Sequence, residues 1–187
     1  MLTRRGFIKA SGLALAGLAF HNTSIRFHAS HAARVVEIYM KSDNLGTKVW
    51  FDPIGIYIEP GQTIRWIAVE NTHTTSAYHP RNSSHSLRIP TNAIPWDSGF
   101  LSPGEHFDVR LMIQGVYDYY CMPHEEAGMV GRIIVGRPTG PGALPFDYYL
   151  GRPGTRDWRP IPPAAQKAFP SIEQIMREKV VRLRWAT

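Results

Sequence analysis

The sequence predicts an all-β protein, a β-sandwich of short strands followed by a Pro-rich C-terminal extension that ends in a short α-helix. Apolar and polar residues alternate over short runs, and two Pro-Gly pairs mark turns between them, which is typical of a sandwich or a small barrel. Eight of the 15 prolines lie beyond residue 137, which indicates the extension. The chain therefore divides into three segments, 1–32, 33–137 and 138–187.

The first segment predicts a signal peptide of the twin-arginine type. Paired Arg4 and Arg5 precede a run of small and apolar residues, 10–20, that is too short to span a bilayer. The small-residue stretch "ASHA" gives a cleavage site after Ala32. We therefore expect export by the twin-arginine route to the periplasm or another extracytoplasmic compartment, and no transmembrane span once the signal is removed.

Removal of the signal peptide changes the charge of the protein. The full chain carries a formal charge of +6, and the signal peptide contains four basic residues and no acidic ones, so the mature chain carries +2. The basic isoelectric point of the full chain therefore gives little support for nucleic-acid binding, and the sequence contains no nucleic-acid-binding motif.

Strand signals fill the first part of the second segment. Residues 35–40 are rich in β-branched types, and "KVWFDP" ends a second run at Pro53. Isoleucines then alternate with other residues over 54–59, which is the period of two of a half-buried strand. After the Pro60-Gly61 turn, "QTIRWIAVEN" continues the alternation, with one face formed by Ile64, Trp66 and Ala68.

The rest of this segment predicts a long loop and three more strands. Residues 71–100 are irregular and rich in Thr, Ser, Asn and Pro. After Pro103-Gly104, "EHFDVRLMI" alternates well, and "GVYDYYC" and "MVGRIIVG" predict the last two strands. Tyr117, Tyr119 and Tyr120 are expected to be core and sheet aromatics rather than electron relays.

The stretch between the last two strands, "YDYYCMPHEEAGMVG" at residues 117–131, holds the only cysteine of the chain. One cysteine cannot form an internal disulfide, so in an exported protein it needs another explanation. Cys121, His124 and Met129 offer a thiolate, an imidazole and a thioether, a soft to borderline ligand set that selects copper. The two glutamates that follow His124 are expected to be solvated, because carboxylates suit harder metals. A blue-copper site with this set takes a second imidazole.

His73 is the best candidate for the second imidazole. It directly follows the predicted strand "TIRWIAVEN" and so reaches the same end of the sandwich as the cysteine loop. His79 is the next candidate, whereas His85 lies further into the irregular loop and His106 lies within a different strand. These last three are expected at the surface, and a second, weaker metal site formed by them stays open as an alternative.

The stretch "YDYYCMPHEEAGMVGRIIV" resembles the plastocyanin branch of the cupredoxins, whose last two strands bracket a Cys-x-Pro-His-x-x-x-Gly-Met loop. "SPGEHFDVRL" is similar to the Pro-Gly-Glu strand that precedes the family's cysteine strand. The resemblance covers about residues 34–136 and implies a Greek-key sandwich that binds one copper ion. The implied copper ligands are His73, Cys121, His124 and Met129. The backbone N–H of Thr74 is implied to donate to the cysteine sulfur.

These features imply a type 1, or blue, copper protein that carries single electrons between extracytoplasmic redox partners by cycling Cu(I) and Cu(II). His124 is expected to reach the surface within an apolar contact patch formed by Met122, Pro123 and Ala127. The alternative is copper delivery or storage, which usually uses Met- or His-rich tracts that the chain lacks. An enzyme is disfavoured, because further copper centres need paired histidines and no H-x-H occurs beyond the signal peptide.

The third segment predicts extended Pro-rich connectors and one helix over 171–184. Ser171 and Gln174 fit a capping box at its start. The predicted apolar face of the helix consists of Ile172, Ile175, Met176, Val180 and Leu183. We expect the extension, with a charge of +4, to pack on residues 33–137, with a charge of −2. Contact with a partner protein and peripheral association with an anionic membrane surface are the alternatives.

Overall fold

A computed structural model describes residues 34–183 of the chain. The predicted signal peptide, residues 1–32, and the end of the predicted C-terminal helix at Arg184 lie outside the described residues. The strands are β1 (Val35–Ser42), β2 (Val49–Asp52), β3 (Gly55–Ile58), β4 (Thr63–Ala68), β5 (Ser76–Ala77), β6 (His106–Arg110), β7 (Gly115–Tyr120), β8 (Val130–Val135) and β9 (Val180–Val181). The helices are α1 (Pro163–Ala168) and α2 (Ile172–Glu178), with short 3-10 helices at Met122–Ala127, named the loop helix, and at Pro141–Ala143.

The strands form two sheets that pack face to face. The first sheet has the strand order β2-β1-β4-β6, and the second has the order β5-β7-β8-β3-β9. β1 pairs in parallel with β4, and β3 pairs in parallel with β8, while the remaining pairs in both sheets are antiparallel. This architecture is the all-β sandwich that the sequence predicts.

The main core lies between the two sheets and follows the predicted alternation. On β4, the side chains of Ile64, Trp66 and Ala68 are buried, and the residues between them are partly exposed. The ring of Trp66 lies at the centre of the core, with its centroid 5.3 Å from those of Trp96 and Tyr119. The period of two in this strand is therefore confirmed.

β7 and β8 are buried on both faces, although the strands of an antiparallel sandwich commonly expose one face to water. Every residue of both strands is buried. Tyr117 and Ile133 face the main core, whereas Val116 and Ile134 pack with residues of the C-terminal extension on the opposite face. The extension therefore covers the outer face of the second sheet.

The extension covers the outer face of the second sheet with two short helices. α1, which the sequence analysis did not predict, begins at Pro163, and proline is favoured in the first turn because its missing N–H is not needed there. α2 buries Ile175 against the sheet. Gly55 permits that close approach, because a Cβ at this position would lie 2.7 Å from Cγ of Pro170 and 2.9 Å from the Ile175 side chain.

The predicted helix over 171–184 is too long. Its capped start is confirmed, because Oγ of Ser171 accepts the N–H of Gln174 at 3.0 Å. The helix ends at Glu178, because Lys179 adopts a left-handed φ of 64°. The chain then turns, and β9 pairs antiparallel with β3.

Two residues leave the predicted apolar face as a result. Val180 is 44% exposed and Leu183 is 37% exposed, while Ile172, Ile175 and Met176 stay packed against the sheet. Within residues 34–183, no helix has both the length and the apolar character needed to cross a membrane.

A buried ionic network joins the extension to the sandwich. Asp118 on β7 is fully buried, with Nε of Arg88 3.1 Å from its Oδ2 and Nε of Arg132 2.7 Å from its Oδ1. Nη2 of Arg132 also donates to Asp118, whereas Nη2 of Arg88 donates to the carbonyl of Gly142 at 2.7 Å and Nη1 of Arg132 donates to that of Pro170 at 3.0 Å, both in the extension. Because buried charges are tolerated only when paired and hydrogen-bonded, the extension completes this network.

Candidate metal centre

Three chain segments converge at one end of the sandwich: the loop after β4, the end of β7 and the loop before β8. The backbone of His73 forms two hydrogen bonds with Leu101, at 3.1 and 2.8 Å. Cys121 directly follows β7, and its N–H donates to the carbonyl of Met129 at 3.0 Å. The N–H of His124, on the loop helix, donates to the carbonyl of Cys121 at 3.0 Å. Backbone hydrogen bonds therefore fix all four positions at which the sequence predicts ligands.

The side chains of three of these residues come together. Nδ1 of His73 lies 3.7 Å from Sγ of Cys121, and Nδ1 of His124 lies 3.3 Å from the same sulfur. Within residues 34–183, this is the group of His, Cys, Asp and Glu side chains that can hold a metal ion. The three donor atoms all lie within 4.8 Å of one another, so these residues could hold one ion between them. Met129 is fully buried in the same core cluster as Cys121.

Two residues from neighbouring segments hold these donors in place. The N–H of Thr74 donates to Sγ of Cys121 at 3.3 Å, and its Oγ1 accepts the N–H of Met122 at 2.7 Å. Oγ of Ser42, at the end of β1, lies 3.1 Å from Nε2 of His73. A proton on Nε2 that points to Ser42 leaves the lone pair of Nδ1 facing the cysteine, which is the tautomer that a metal requires.

Burial sets the protonation of the donor atoms. It lowers the pKa of His73 to about 4, with a smaller contribution from the charge of His124, and it also lowers the pKa of His124. Both imidazoles are therefore neutral at pH 7 and have a free lone pair. Burial raises the pKa of the Cys121 thiol to about 11, although the hydrogen bond from Thr74 opposes this shift. A bound cation would favour the thiolate, and the resulting N, N, S donor set fits copper.

One edge of the site faces solvent. His73 and Cys121 are fully buried, whereas the ring of His124 is only partly buried. The loop helix surrounds this ring with the exposed apolar residues that the sequence analysis expects there, Met122, Pro123 and Ala127. The exposed apolar residues of the loop helix therefore flank the partly exposed His124 in the chain.

Two expectations for the loops are wrong. His85 is not at the surface but 2% exposed, and Glu125 is not solvated but 4% exposed. Nε2 of His85 lies 2.9 Å from Oε2 of Glu125, because a β-bridge between His85 and Arg159 of the extension holds this segment against the loop helix. His79 is partly buried in its loop and His106 is exposed on β6, and neither joins the three donor atoms.

Two further residues lie around the site without a sequence signal. Ser42 contacts His73 across 31 residues of sequence, and Tyr78 donates its hydroxyl to Oε1 of Glu125 at 2.7 Å across 47 residues. Both are ordinary strand and loop residue types, so their positions carry no motif that would mark them. Only the pairing of distant segments brings them to the site.

Comparison with known proteins identifies the family. The family described as copper binding proteins, plastocyanin/azurin family, matches residues 36–136, which is more than half of the chain. The chain is 33% identical over 112 residues to chloroplastic plastocyanin of Chlamydomonas reinhardtii, covering 57% of this chain and 70% of the relative. It is 42% identical over 126 residues to chloroplastic plastocyanin of Pisum sativum, covering 64% of this chain and 70% of the relative.

A solved structure supports the fold. A Sinorhizobium pseudoazurin superposes with a TM-score of 0.54 at 24% identity and covers 77% of this chain and 94% of its own. That share of the chain extends beyond residues 36–136, so the similarity of architecture includes more than the segment matched by the family. The chain belongs to the plastocyanin/azurin family of copper-binding proteins, the cupredoxins, and its cofactor is copper.

Proposed function

We propose that the protein is a type 1 copper electron carrier whose ligands are His73, Cys121, His124 and Met129. The observation that carries the proposal is the environment of the Cys121 sulfur, which accepts the N–H of Thr74 and has two imidazole Nδ1 atoms within 3.7 Å. Two imidazoles, one thiolate and a weak thioether are the ligands of blue-copper electron-transfer sites. The relatives named plastocyanin support the same function.

Copper supplies a one-electron exchange between Cu(I) and Cu(II) when it is bound. The chain holds the donors in one arrangement, through the backbone pairing of His73 and the two hydrogen bonds of Thr74. Donors that are fixed in advance reorganise little when the electron moves, which favours fast transfer. His124 provides the route for the electron, because its ring lies at the apolar patch where a partner can approach closely.

We also propose that the electron donor and acceptor are proteins in an extracytoplasmic compartment. The twin-arginine pattern of residues 1–32 supports export of the folded protein. The partner contact is proposed at the patch of Met122, Pro123 and Ala127, because an electron crosses the shortest distance there.

A copper titration with visible spectroscopy tests the proposed function. An intense blue or green absorption that saturates at one copper per chain is expected, because a copper–thiolate bond gives a strong charge-transfer band. Copper delivery or storage is the second candidate, and it predicts a weak, colourless complex that loses its copper readily to a chelator. The buried positions of His73 and Cys121 favour the carrier over this alternative.

His73→Gly is expected to disrupt the copper spectrum, because it removes one of two imidazoles from the donor set. His79→Gly is the matched control, because His79 lies in the same loop but outside the group of donor atoms. Visible and electron paramagnetic resonance spectra of the two copper-loaded variants provide the comparison. Bleaching of the site by His79→Gly, with an unchanged spectrum for His73→Gly, would show that the assignment of the second imidazole is wrong.

Copper binding is expected to release one proton per ion at pH 7. The pKa of the Cys121 thiol is about 11, so it must lose its proton to bind, whereas both imidazoles are already neutral. The apparent affinity for Cu(I) should therefore rise about tenfold per pH unit between about pH 7 and pH 10. Competition titrations of the reduced, metal-free protein at several pH values measure this slope. A slope of zero would contradict the role of a protonated Cys121 as ligand.

A further inference from the structure

Glu125 is a buried carboxylate next to the proposed ligand His124. Its Oε1 accepts the hydroxyl of Tyr78 at 2.7 Å, and its Oε2 lies 2.9 Å from Nε2 of His85. The adjacent Glu126 is exposed. Burial of a carboxylate is costly unless hydrogen bonds replace its water, so these two contacts hold Glu125 in one place.

The partners of Glu125 are themselves fixed to the body of the protein. The rings of Tyr78 and His85 stack at 5.2 Å with an interplanar angle of 24°, and the ring of Tyr120 lies 4.6 Å from Tyr78 and 4.4 Å from His85. The extension secures His85 from the other side, because the N–H of Arg159 donates to the carbonyl of Ser84 at 2.7 Å. The sandwich and the extension therefore hold the side chains that anchor Glu125, and the loop helix does not.

The loop helix has no other buried side chain. Glu125 is the buried residue among the six of this 3-10 helix, which carries His124. A 3-10 helix of six residues is not stable by itself, so its position depends on contacts with the rest of the protein. Nδ1 of His124 lies 3.3 Å from Sγ of Cys121. Backbone hydrogen bonds of His124 and the contact of Met122 with Thr74 hold part of this loop, and Glu125 adds the buried side-chain contact of the loop helix.

We propose that Glu125 is a positioning residue that fixes the loop helix through Tyr78 and His85 and thereby holds the imidazole of His124 at the copper position. The inference rests on the proposed function, because it assigns a role in the same site. It predicts that removal of the anchor loosens the partly exposed imidazole while the buried donors, His73 and Cys121, stay in place.

Three variants and two matched controls test this role. Glu125→Ala removes both contacts of the anchor and Tyr78→Phe removes one of them. Glu125→Gln retains an acceptor for Tyr78 and a polar group for His85. Glu126→Ala also removes one carboxylate from the loop helix, but at an exposed position. Tyr57→Phe removes a tyrosine hydroxyl that donates to a different glutamate, Glu59, at 2.8 Å on an exposed surface.

Glu125→Ala and Tyr78→Phe are expected to shift the relative intensities of the visible bands and the copper hyperfine splitting. Copper affinity should fall about 10-fold in Glu125→Ala, the lower end of the loss that follows removal of a group that orients a metal ligand. Glu125→Gln and both controls should resemble the wild type. Ile175→Ala, which removes packing beneath the extension, should lower the melting temperature without a spectral change, and so separates lost stability from lost positioning.

Hydrogen exchange of the metal-free protein gives a second readout. The amides of His124 and Met129 should exchange faster in Glu125→Ala than in Glu126→Ala, because both N–H groups donate within the loop. Unchanged spectra and unchanged exchange in Tyr78→Phe and Glu125→Ala would overturn the inference, and Tyr78→Phe alone decides it if Glu125→Ala does not fold. A colourless wild-type protein would contradict the proposed function, and the exchange measurement would still test the anchor.

Discussion

Cys121→Ser is expected to abolish the intense visible absorption of the copper-loaded protein and to leave the fold intact. The absorption arises from a bond between copper and a thiolate, and a serine hydroxyl does not ionise at neutral pH to replace it. Serine is nearly isosteric with cysteine. In the wild type the N–H of Thr74 donates to the sulfur, and in the variant it can donate to the serine oxygen. Visible spectra and thermal melts of the loaded and metal-free variant measure the two effects.

Met122→Leu is the control for the cysteine variant. It removes the adjacent sulfur from an exposed position, 45% accessible, and is expected to leave the colour unchanged. Retention of a strongly coloured copper complex with normal redox activity by Cys121→Ser would contradict a blue-copper site at this residue.

Deletion of residues 138–187 is expected to destabilise the protein severely. It uncovers the apolar and aromatic residues that pack beneath the extension: Ile54, Val116, Ile134, Tyr78, Tyr120 and Val130. Full exposure of one such side chain costs about 1.5–3 kcal/mol, so partial exposure of all of them lowers the free energy of unfolding by about 5 kcal/mol or more. That loss is comparable to the whole stability of a domain. Urea unfolding of the truncated and full-length proteins measures it.

The same deletion removes the carbonyl groups that Arg88 and Arg132 contact in the extension. The four proposed ligands lie within residues 73–129, so the fraction of the truncated protein that folds should still bind copper and be coloured. Loss of Arg159 releases the segment of His85, so the visible bands should shift as they do in Glu125→Ala. Lys167→Ala, at an exposed position on α1, is a control that should leave the stability unchanged. A truncated protein that melts like the full chain but no longer reacts with its redox partner would show that the extension is a recruitment element.

The sequence by itself determined the fold class, the metal and the loop that carries most of the proposed ligands. These features depend on short-range patterns: the alternation over Ile64, Trp66 and Ala68 sets which face is buried, and the spacing of Cys121, His124 and Met129 defines a copper-type ligand set. The capped start of α2 at Ser171 follows from a local hydrogen bond for the same reason.

Only the tertiary structure decided how the extension ends and what it covers. The apolar pattern over 171–184 has a helical period. Val180–Val181 nevertheless pair with β3 and do not form another helical turn. Burial of both faces of β7 and β8 cannot be predicted from their own sequence. The second face is covered by residues more than 30 positions away, such as Ile175.

The same reason explains the surroundings of the metal centre. The sequence predicts that His85 and Glu125 are solvated loop residues, because no residue within several positions of either offers a buried partner. They pair because the extension, through Arg159, holds the segment of His85 against the loop helix. The contact of Ser42 with His73 likewise depends on the parallel pairing of β1 with β4. Local patterns determine which residues are suited to copper, whereas contacts between distant segments decide which atoms hold them in place.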